Sequence, residues 1–150
     1  MFNQQHDNVR KNLIAELGSL FERNKILFCL AGRTGQDLRK MGDIYVPKKI
    51  DDIDFRVQYK DYDLVTKLRV ELEKIGFSLH NWRSRYKLQL EKNLFVEIHF
   101  LHHEDKRIFF RKGDEDDRKN FYWPSSQFPP STTFNINGVN VPIEPAIRDY

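Results

Sequence analysis

Residues 51–55, DDIDF, constrain the fold more than any other stretch, because they place three aspartates in a strand-like pattern. Ile53, Phe55 and Val57 alternate with polar residues, as in a β-strand with one buried face. Acidic residues are poor strand formers, and an ionised carboxylate is costly to bury without a partner. Two explanations stay open: a turn followed by a solvated strand face, or a bound cation that compensates the charge.

Composition limits the classes of protein that this chain can belong to. With 39% hydrophobic and 13% aromatic residues in 150, the chain can form one core, so we expect a single domain over residues 1–150. A net charge of +3 argues against a protein that binds nucleic acid mainly through its charge. The single cysteine, Cys29, excludes an internal disulfide and fits a reducing compartment. No apolar run approaches membrane-spanning length, so we expect a soluble, cytoplasmic protein without a membrane span.

Hydrophobic periodicity predicts the main elements of secondary structure. Apolar residues at helical spacing predict amphipathic helices over residues 8–23 and 61–75. The run KILFCLAG predicts a buried strand, and FSLHNW, YKLQLE and LFVEIHFL predict three strands in a meander. RIFFR suggests one more short strand, whereas FYWPSSQFPP reads as irregular. Asn137-Gly138 predicts the turn of a hairpin, and PAIRDY reads as the start of a helix.

Together these elements predict an α/β (α+β) domain with a mixed, mostly antiparallel sheet flanked by helices. Both predicted helices should pack on one apolar face of that sheet. Its expected members are Ile53, Phe55, Val57, Val96, Ile98 and Phe100.

Asp52 and Asp54 are the first candidate functional residues. Residues two apart on a strand project from the same face, ~6–7 Å apart along the chain. Carboxylates held that close repel each other unless a cation lies between them, and Mg²⁺ or Mn²⁺ suits such oxygen ligands. In the alternative, Asp51 and Asp52 cap the strand and Asp54 is merely exposed.

Glu97 is the third candidate carboxylate. In FVEIHF it lies on the polar side of a strand whose other side is apolar. Alone, Glu97 would read as an ordinary solvated glutamate, but beside Asp52 and Asp54 it would complete a three-carboxylate cation site. His99 is interpreted as a supporting or surface histidine rather than a ligand, because magnesium sites use oxygen donors.

The turn LAGRTG offers a place for phosphate. Gly32 and Gly35 follow a buried strand and open a short helix, so backbone N–H groups could approach a phosphate, although an ordinary turn would use glycines too. Arg39, one turn further along, could add a contact. Lys49 ends a lysine pair in the loop 42–50, which we expect to be mobile until a ligand closes it.

The order of these motifs resembles the nucleotidyltransferase superfamily, with its glycine turn, Asp-x-Asp strand and third carboxylate. Within that superfamily the sequence is most similar to the LicD and fukutin-like phosphotransferases. The resemblance covers about residues 8–100, and 134–150 more weakly. Arg33 and Thr34 depart from the pattern, which commonly has serine after its glycine. The residues that carry the likeness are Gly32, Gly35 and Arg39, then IYVP at 44–47, then Asp51, Asp52 and Asp54.

The resemblance implies a metal-dependent transferase. Asp52, Asp54 and Glu97 would bind Mg²⁺ or Mn²⁺, and Glu97 would position or deprotonate an acceptor hydroxyl. The donor would be a nucleoside triphosphate or a nucleotide-linked small group, and the acceptor an RNA, a protein or a sugar. The residues that would hold the donor are Gly32, Arg33, Thr34, Arg39 and Lys49.

Two other functions remain open at this point. A catalytically silent domain of the same fold would bind a nucleotide, an RNA or a protein partner. A metal-dependent phosphoesterase would use the same acids with water as the acceptor.

Overall fold

The computed structural model describes most of the chain in eight segments. The loop 42–50, which contains Lys49, and the predicted start of a helix at 145–150 lie outside the described residues. So do the side chains of Arg33 and Asp52. The described residues are 4–41, 51–74, 78–82, 85–91, 94–104, 107–109, 122–124 and 128–144.

The first helix, α1 (Gln4–Arg23), begins four residues before its predicted start and covers the core with its apolar side. Lys25, at φ 57°, reverses the chain after it. The Ile26 N–H then donates to the Phe21 carbonyl at 2.9 Å, which satisfies one of the last free carbonyls of the helix.

A short strand and a sharp turn follow α1. Strand β1 (Phe28–Ala31) is buried along its whole length, and α2 (Gly32–Met41) begins at the next residue. Gly32 has φ +63°, a left-handed backbone conformation that allows this abrupt change of direction. Strand β2 (Asp51–Gln58) returns antiparallel to β1 and places Ala31 opposite Asp54.

The single helix predicted over 61–75 is wrong in detail, because the structure divides it. A 3-10 turn at Tyr59–Asp61 leads into α3 (Tyr62–Lys67), and α4 (Arg69–Lys74) follows after Leu68. The Leu68 N–H donates to the Val65 carbonyl at 3.1 Å, three residues back, which tightens the helix there. The buried side chains keep helical spacing across the break, so periodicity alone could not reveal it. They are Val65, Leu68 and Leu72.

The main sheet has the strand order β1-β2-β5-β4-β3. As predicted, β3 (Ser78–Trp82), β4 (Arg85–Glu91) and β5 (Leu94–Glu104) form an antiparallel meander. Strand β5 then pairs with β2 in parallel, whereas the other paired strands of the described sheet are antiparallel. This confirms a mixed, mostly antiparallel sheet.

Two short strands extend the sheet beyond β5. Strand β6 (Arg107–Phe109) confirms the strand suggested by RIFFR. Strand β7 (Tyr122–Pro124) corrects the irregular reading of its segment. The aromatic pair Tyr122 and Trp123 suits a strand, and β6 supplies the hydrogen-bonding partner that a local pattern does not show.

The predicted hairpin is confirmed as β8 (Thr133–Ile136) and β9 (Val139–Pro142). Asn137 and Gly138 have φ 50° and 89°, so both turn residues are left-handed, as a tight two-residue hairpin requires. No helix in the described part of the chain has the length and apolar character needed to cross a membrane.

The apolar face predicted for β2 and β5 is confirmed as the centre of the core. α1 packs on it through Phe21, whose ring centroid lies 5.7 Å from that of Phe55. Tyr62 of α3 covers Phe100 at 4.9 Å between centroids. The polar residues of β2 and β5 therefore project from the opposite face of the sheet. The fully buried members of the apolar face are Ile53, Phe55, Val57, Val96, Ile98 and Phe100.

Candidate active site

The parallel register of β2 and β5 creates a polar cluster on the face away from the core. Asp54 lies opposite Glu97, and Arg56 lies opposite His99. Because strand side chains alternate between faces, all four project to the same side. The expectation that residues 52–58 and 95–100 share one sheet is met.

Asp54, Glu97 and His99 converge on one point. One ligand atom from each lies within 4.8 Å of the others. The Nε2 atom of His99 is 3.2 Å from Asp54 Oδ1 and 3.2 Å from Glu97 Oε2, so the imidazole joins the two carboxylates. The Asp54 side chain is 20% exposed, which leaves it accessible to solvent.

The surface position considered for His99 is wrong. Only 5% of the residue is exposed, and its imidazole contacts both carboxylates. The alternative that His99 supports the acids agrees with these contacts, and its spacing of two residues from Glu97 puts both on one face. The position of the Asp52 carboxylate lies outside the described side chains, so its part in the cluster stays a prediction.

Gly32 fits tightly against the cluster. A Cβ atom built on Gly32 would lie 2.3 Å from Asp54 Oδ2, so any side chain would displace the carboxylate. A Cβ on Gly35 would lie 2.9 Å from the Leu30 carbonyl oxygen, so α2 also packs closely on β1. Both glycines of the predicted turn thus serve close backbone approach, and Gly32 brings the turn to the acids.

Thr34 and Arg39, predicted to contact phosphate, have partners within the protein. Thr34 is buried, and its Oγ1 accepts a hydrogen bond from Arg10 Nη2 at 2.9 Å. Arg39 is half-buried and donates through Nη2 to the carbonyl oxygens of Ile143, at 3.4 Å, and Glu144. Phosphate contacts by these two residues therefore stay a prediction, as do those by Arg33 and Lys49.

Glu144 is a buried acid of the site region to which the sequence assigned no role. It forms an ion pair with Arg56, and its Oε2 accepts the Gly32 N–H at 3.4 Å. Arg56 is buried too, with only 3% of the residue exposed, although it lies on the polar face of β2. The two residues are 88 positions apart in the sequence, so no local pattern reveals the pair.

Cys29 lies on β1 opposite Arg56 and is fully buried. Burial raises the pKa of the Cys29 thiol well above its ordinary value of 9.0. The Glu144 carboxylate adds to the rise in this pKa, and the Arg56 guanidinium opposes it. The thiol therefore stays neutral, which makes it a poor nucleophile.

The donor set of the cluster fits a divalent cation. Two carboxylates supply the oxygen ligands that Mg²⁺ and Mn²⁺ prefer, and the imidazole adds a nitrogen that later transition metals bind well. Because Gly32 has no side chain, its backbone can lie beside Asp54 Oδ2, where a Cβ atom would collide. A cation held here could in turn bind phosphate oxygens.

Neither protein-family models nor curated proteins provide a match to this chain. Several solved structures are similar to it. The lincosamide antibiotic adenylyltransferase LnuA, bound to lincomycin, is 21% identical with a TM-score of 0.56, covering 95% of this chain and 81% of its own. The solution structure of the antibiotic-resistance factor ANT(2'')-Ia is 16% identical with a TM-score of 0.64, over 92% of this chain and 66% of its own. Its crystal structure in complex with adenylyl-2''-tobramycin is 14% identical with a TM-score of 0.62, over 91% and 70%.

These likenesses show that the chain has the nucleotidyltransferase fold. That part of the resemblance seen in the sequence is confirmed, whereas particular closeness to LicD and fukutin-like proteins is not shown. Because the identities are only 14% to 21%, these likenesses show the fold alone.

Proposed function

We propose that the chain is a metal-dependent nucleotidyltransferase that transfers a nucleoside monophosphate from a nucleoside triphosphate to a hydroxyl group. One observation carries the proposal: Asp54, Glu97 and His99 converge on two parallel strands, directly beside the left-handed Gly32. Carboxylates gathered beside a glycine turn suit a cation and a phosphate chain together.

In this proposal Asp52, Asp54 and Glu97 would hold Mg²⁺ or Mn²⁺, and His99 contacts the Asp54 and Glu97 carboxylates at 3.2 Å. The cation, when bound, would offset the negative charge that develops on the transferred phosphoryl group. His99 Nε2 contacts both carboxylates and so fixes them relative to each other, and the same nitrogen would add a ligand if a later transition metal were bound.

Glu97 is the proposed base. The acceptor oxygen forms a bond to the α-phosphorus as the bond to the β-phosphate oxygen breaks, and pyrophosphate leaves with that electron pair. The acceptor hydroxyl loses its proton to the Glu97 carboxylate. The position of Glu97 opposite Asp54 supports this role, since acceptor and donor must meet where the acids converge.

The donor phosphates would lie along the glycine turn. Gly32 brings the backbone next to Asp54, which supports a phosphate position close to the acids. Thr34 and Arg39 would reach a phosphate by exchanging their present partners. The complete proposed set for the donor is Gly32, Arg33, Thr34, Arg39 and Lys49.

The structural neighbours guide the choice of donor and acceptor. LnuA is named an adenylyltransferase and was solved with lincomycin, and ANT(2'')-Ia was solved with an adenylylated tobramycin. We therefore propose ATP as the donor and a small hydroxyl-bearing molecule as the acceptor. RNA, protein and sugar acceptors, and the nucleotide-linked donors of LicD-like proteins, are the further candidates. We also propose that residues 1–150 form a single domain and that the protein is cytoplasmic.

A product assay tests the function. The protein with Mn²⁺ and each nucleoside triphosphate is incubated with lincomycin, tobramycin and the other acceptor classes. Pyrophosphate release and a mass gain of one nucleoside monophosphate on an acceptor are the expected results. Asp54→Asn should abolish both, whereas Asp63→Asn, at an exposed position in α3, should not. Pyrophosphate release or adduct formation that survives in Asp54→Asn contradicts the proposed site.

A catalytically silent domain of this fold is the second candidate function. The observation that favours it is the engagement of Thr34 by Arg10 and of Arg39 by the 143–144 carbonyls. If calorimetry detects nucleotide binding but no acceptor gives a product, the result would support a silent domain that binds a nucleotide, an RNA or a protein partner. Donor hydrolysis without an acceptor would instead identify a phosphoesterase.

A further inference from the structure

We infer that Glu144 is a positioning residue that holds the glycine turn and Arg56 in fixed places beside the carboxylate cluster. The inference rests on the proposed function, because it concerns how that site is arranged. Glu144 would touch neither donor nor acceptor, and it would act through the residues that it binds.

Glu144 contacts three elements of the fold at once. Its backbone N–H donates to the Leu30 carbonyl at the end of β1, at 2.9 Å. Its Oε2 accepts the Gly32 N–H at 3.4 Å, and its Oε1 pairs with Nε of Arg56 on β2. Only 4% of Glu144 is exposed, so solvent weakens these contacts little.

The neighbouring contacts hold Glu144 itself in place. Ile143 pairs with Leu30 through an isolated parallel bridge. Arg39 of α2 donates to the carbonyl oxygens of both Ile143 and Glu144. Residues 143 and 144 therefore form a tie, here called the 143–144 tie, that joins β1, α2 and β2 around the turn.

The 143–144 tie affects the site because its Glu144 pairs with the positively charged Arg56. Arg56 lies two residues after Asp54 on the same strand face, in register with His99. Without the opposing charge of Glu144, a guanidinium in this position would attract the carboxylates and repel a divalent cation. Glu144 balances that charge and so leaves Asp54 and Glu97 able to bind metal.

A charge cycle tests this step. Mn²⁺ alone is titrated by calorimetry, well below the melting temperature, into the wild type, Glu144→Gln, Arg56→Gln and the double variant. Glu144→Gln should weaken Mn²⁺ binding by roughly 10-fold, because the positive charge of Arg56 is then no longer offset by Glu144 and opposes the ion. The double variant should bind more tightly than Glu144→Gln, because the positive charge of Arg56 is gone. A purely structural ion pair predicts no such recovery, and a double variant that binds no better overturns the inference.

Amide exchange of the metal-free protein is the second readout. Arg56→Met combined with Glu144→Leu replaces the buried pair by apolar side chains, a change that commonly preserves folding even where Glu144→Gln alone would not fold. It also removes the acceptor of the Gly32 N–H. Exchange over residues 30–35 should become faster than in the wild type, while exchange over 12–22 of α1 stays the same. Unchanged exchange over 30–35 overturns the inference.

The two readouts separate this inference from the proposed function. A wild type that binds no Mn²⁺ removes the metal-dependent function, and amide exchange still decides whether Glu144 positions the turn. If the wild type binds Mn²⁺ but forms no product, the Mn²⁺ titrations and the amide exchange still both test the role of Glu144.

Discussion

The backbone of Gly32 lies against the carboxylate of Asp54, so closely that a Cβ atom on Gly32 would be 2.3 Å from Oδ2. The left-handed φ of +63° at Gly32 makes this approach possible. The backbone that follows β1 and the acidic strand β2 are therefore in close contact at the site. A substitution in either one should displace the other.

Gly32→Ala should disrupt the site and lower the stability of the fold. The new methyl group collides with Asp54, and a left-handed conformation costs a residue with a Cβ about 1–2 kcal/mol. Mn²⁺ affinity by calorimetry and the melting temperature should both fall.

Gly138→Ala is the matched control. Gly138 also has a left-handed φ, +89°, but a Cβ there meets nothing within 4 Å. Gly138→Ala should lower the melting temperature through the hairpin and leave Mn²⁺ affinity unchanged. Equal loss of Mn²⁺ affinity in both variants would show that the Asp54 contact is not the cause.

Asp54→Asn should abolish the stabilisation that metal gives. Wild-type stability should rise by about 2.7 kcal/mol when Mn²⁺ exceeds its dissociation constant a hundredfold, because the ion binds the folded state. Asn removes a negative charge that Glu97 repels, so the metal-free variant should be as stable as the wild type or more so. Melting curves with and without Mn²⁺ measure both effects. A purely structural Asp54 predicts the reverse: a less stable variant, and no response to metal in either protein.

His99→Gln should change the metal preference of the site. An imidazole nitrogen binds Co²⁺ and Ni²⁺ more strongly than it binds Mg²⁺. The variant should therefore lose more affinity for Co²⁺ than for Mg²⁺ in calorimetric titrations. His102→Gln is the control, because His102 stacks on Tyr59 with centroids 4.5 Å apart. An unchanged ratio of Co²⁺ to Mg²⁺ affinity would indicate that His99 supports the acids without binding the ion.

Cys29 should make stability depend on pH in alkaline solution. Its pKa is raised in the folded state by burial and by Glu144, so the folded state holds the thiol proton more tightly than the unfolded state does. This contribution is complete below the unfolded pKa near 9.0 and is lost as pH rises above it. Denaturant unfolding from about pH 8 to about pH 10 should show a steeper decline in the wild type than in Cys29→Ala. Parallel curves for the two proteins would contradict the shift.

The sequence predicted the elements whose signal is local. The alternation around Ile53 and Phe55 identified both the core face and the polar face of β2, and Asn137-Gly138 identified the hairpin turn. For His99 the sequence left a supporting or a surface position open, and only its contacts with Asp54 and Glu97 exclude the surface position.

Other features depend on contacts between distant segments. Nothing near Glu144 indicates Arg56, and nothing near β7 indicates β6. The interruption at Leu68 was hidden because the flanking buried residues keep their helical spacing. The first two misses share a physical cause, which is that tertiary pairing rather than local preference decides the conformation.

The parallel pairing of β2 with β5 also has a kinetic consequence. Asp54 and His99 are 45 residues apart, and Glu144 meets Gly32 across 112, so the cluster and its tie form only after long stretches of chain have closed. Contacts this distant are slow to form, because the entropy of loop closure is lost before they stabilise the chain. Substitutions at these positions should therefore change the unfolding rate more than the folding rate.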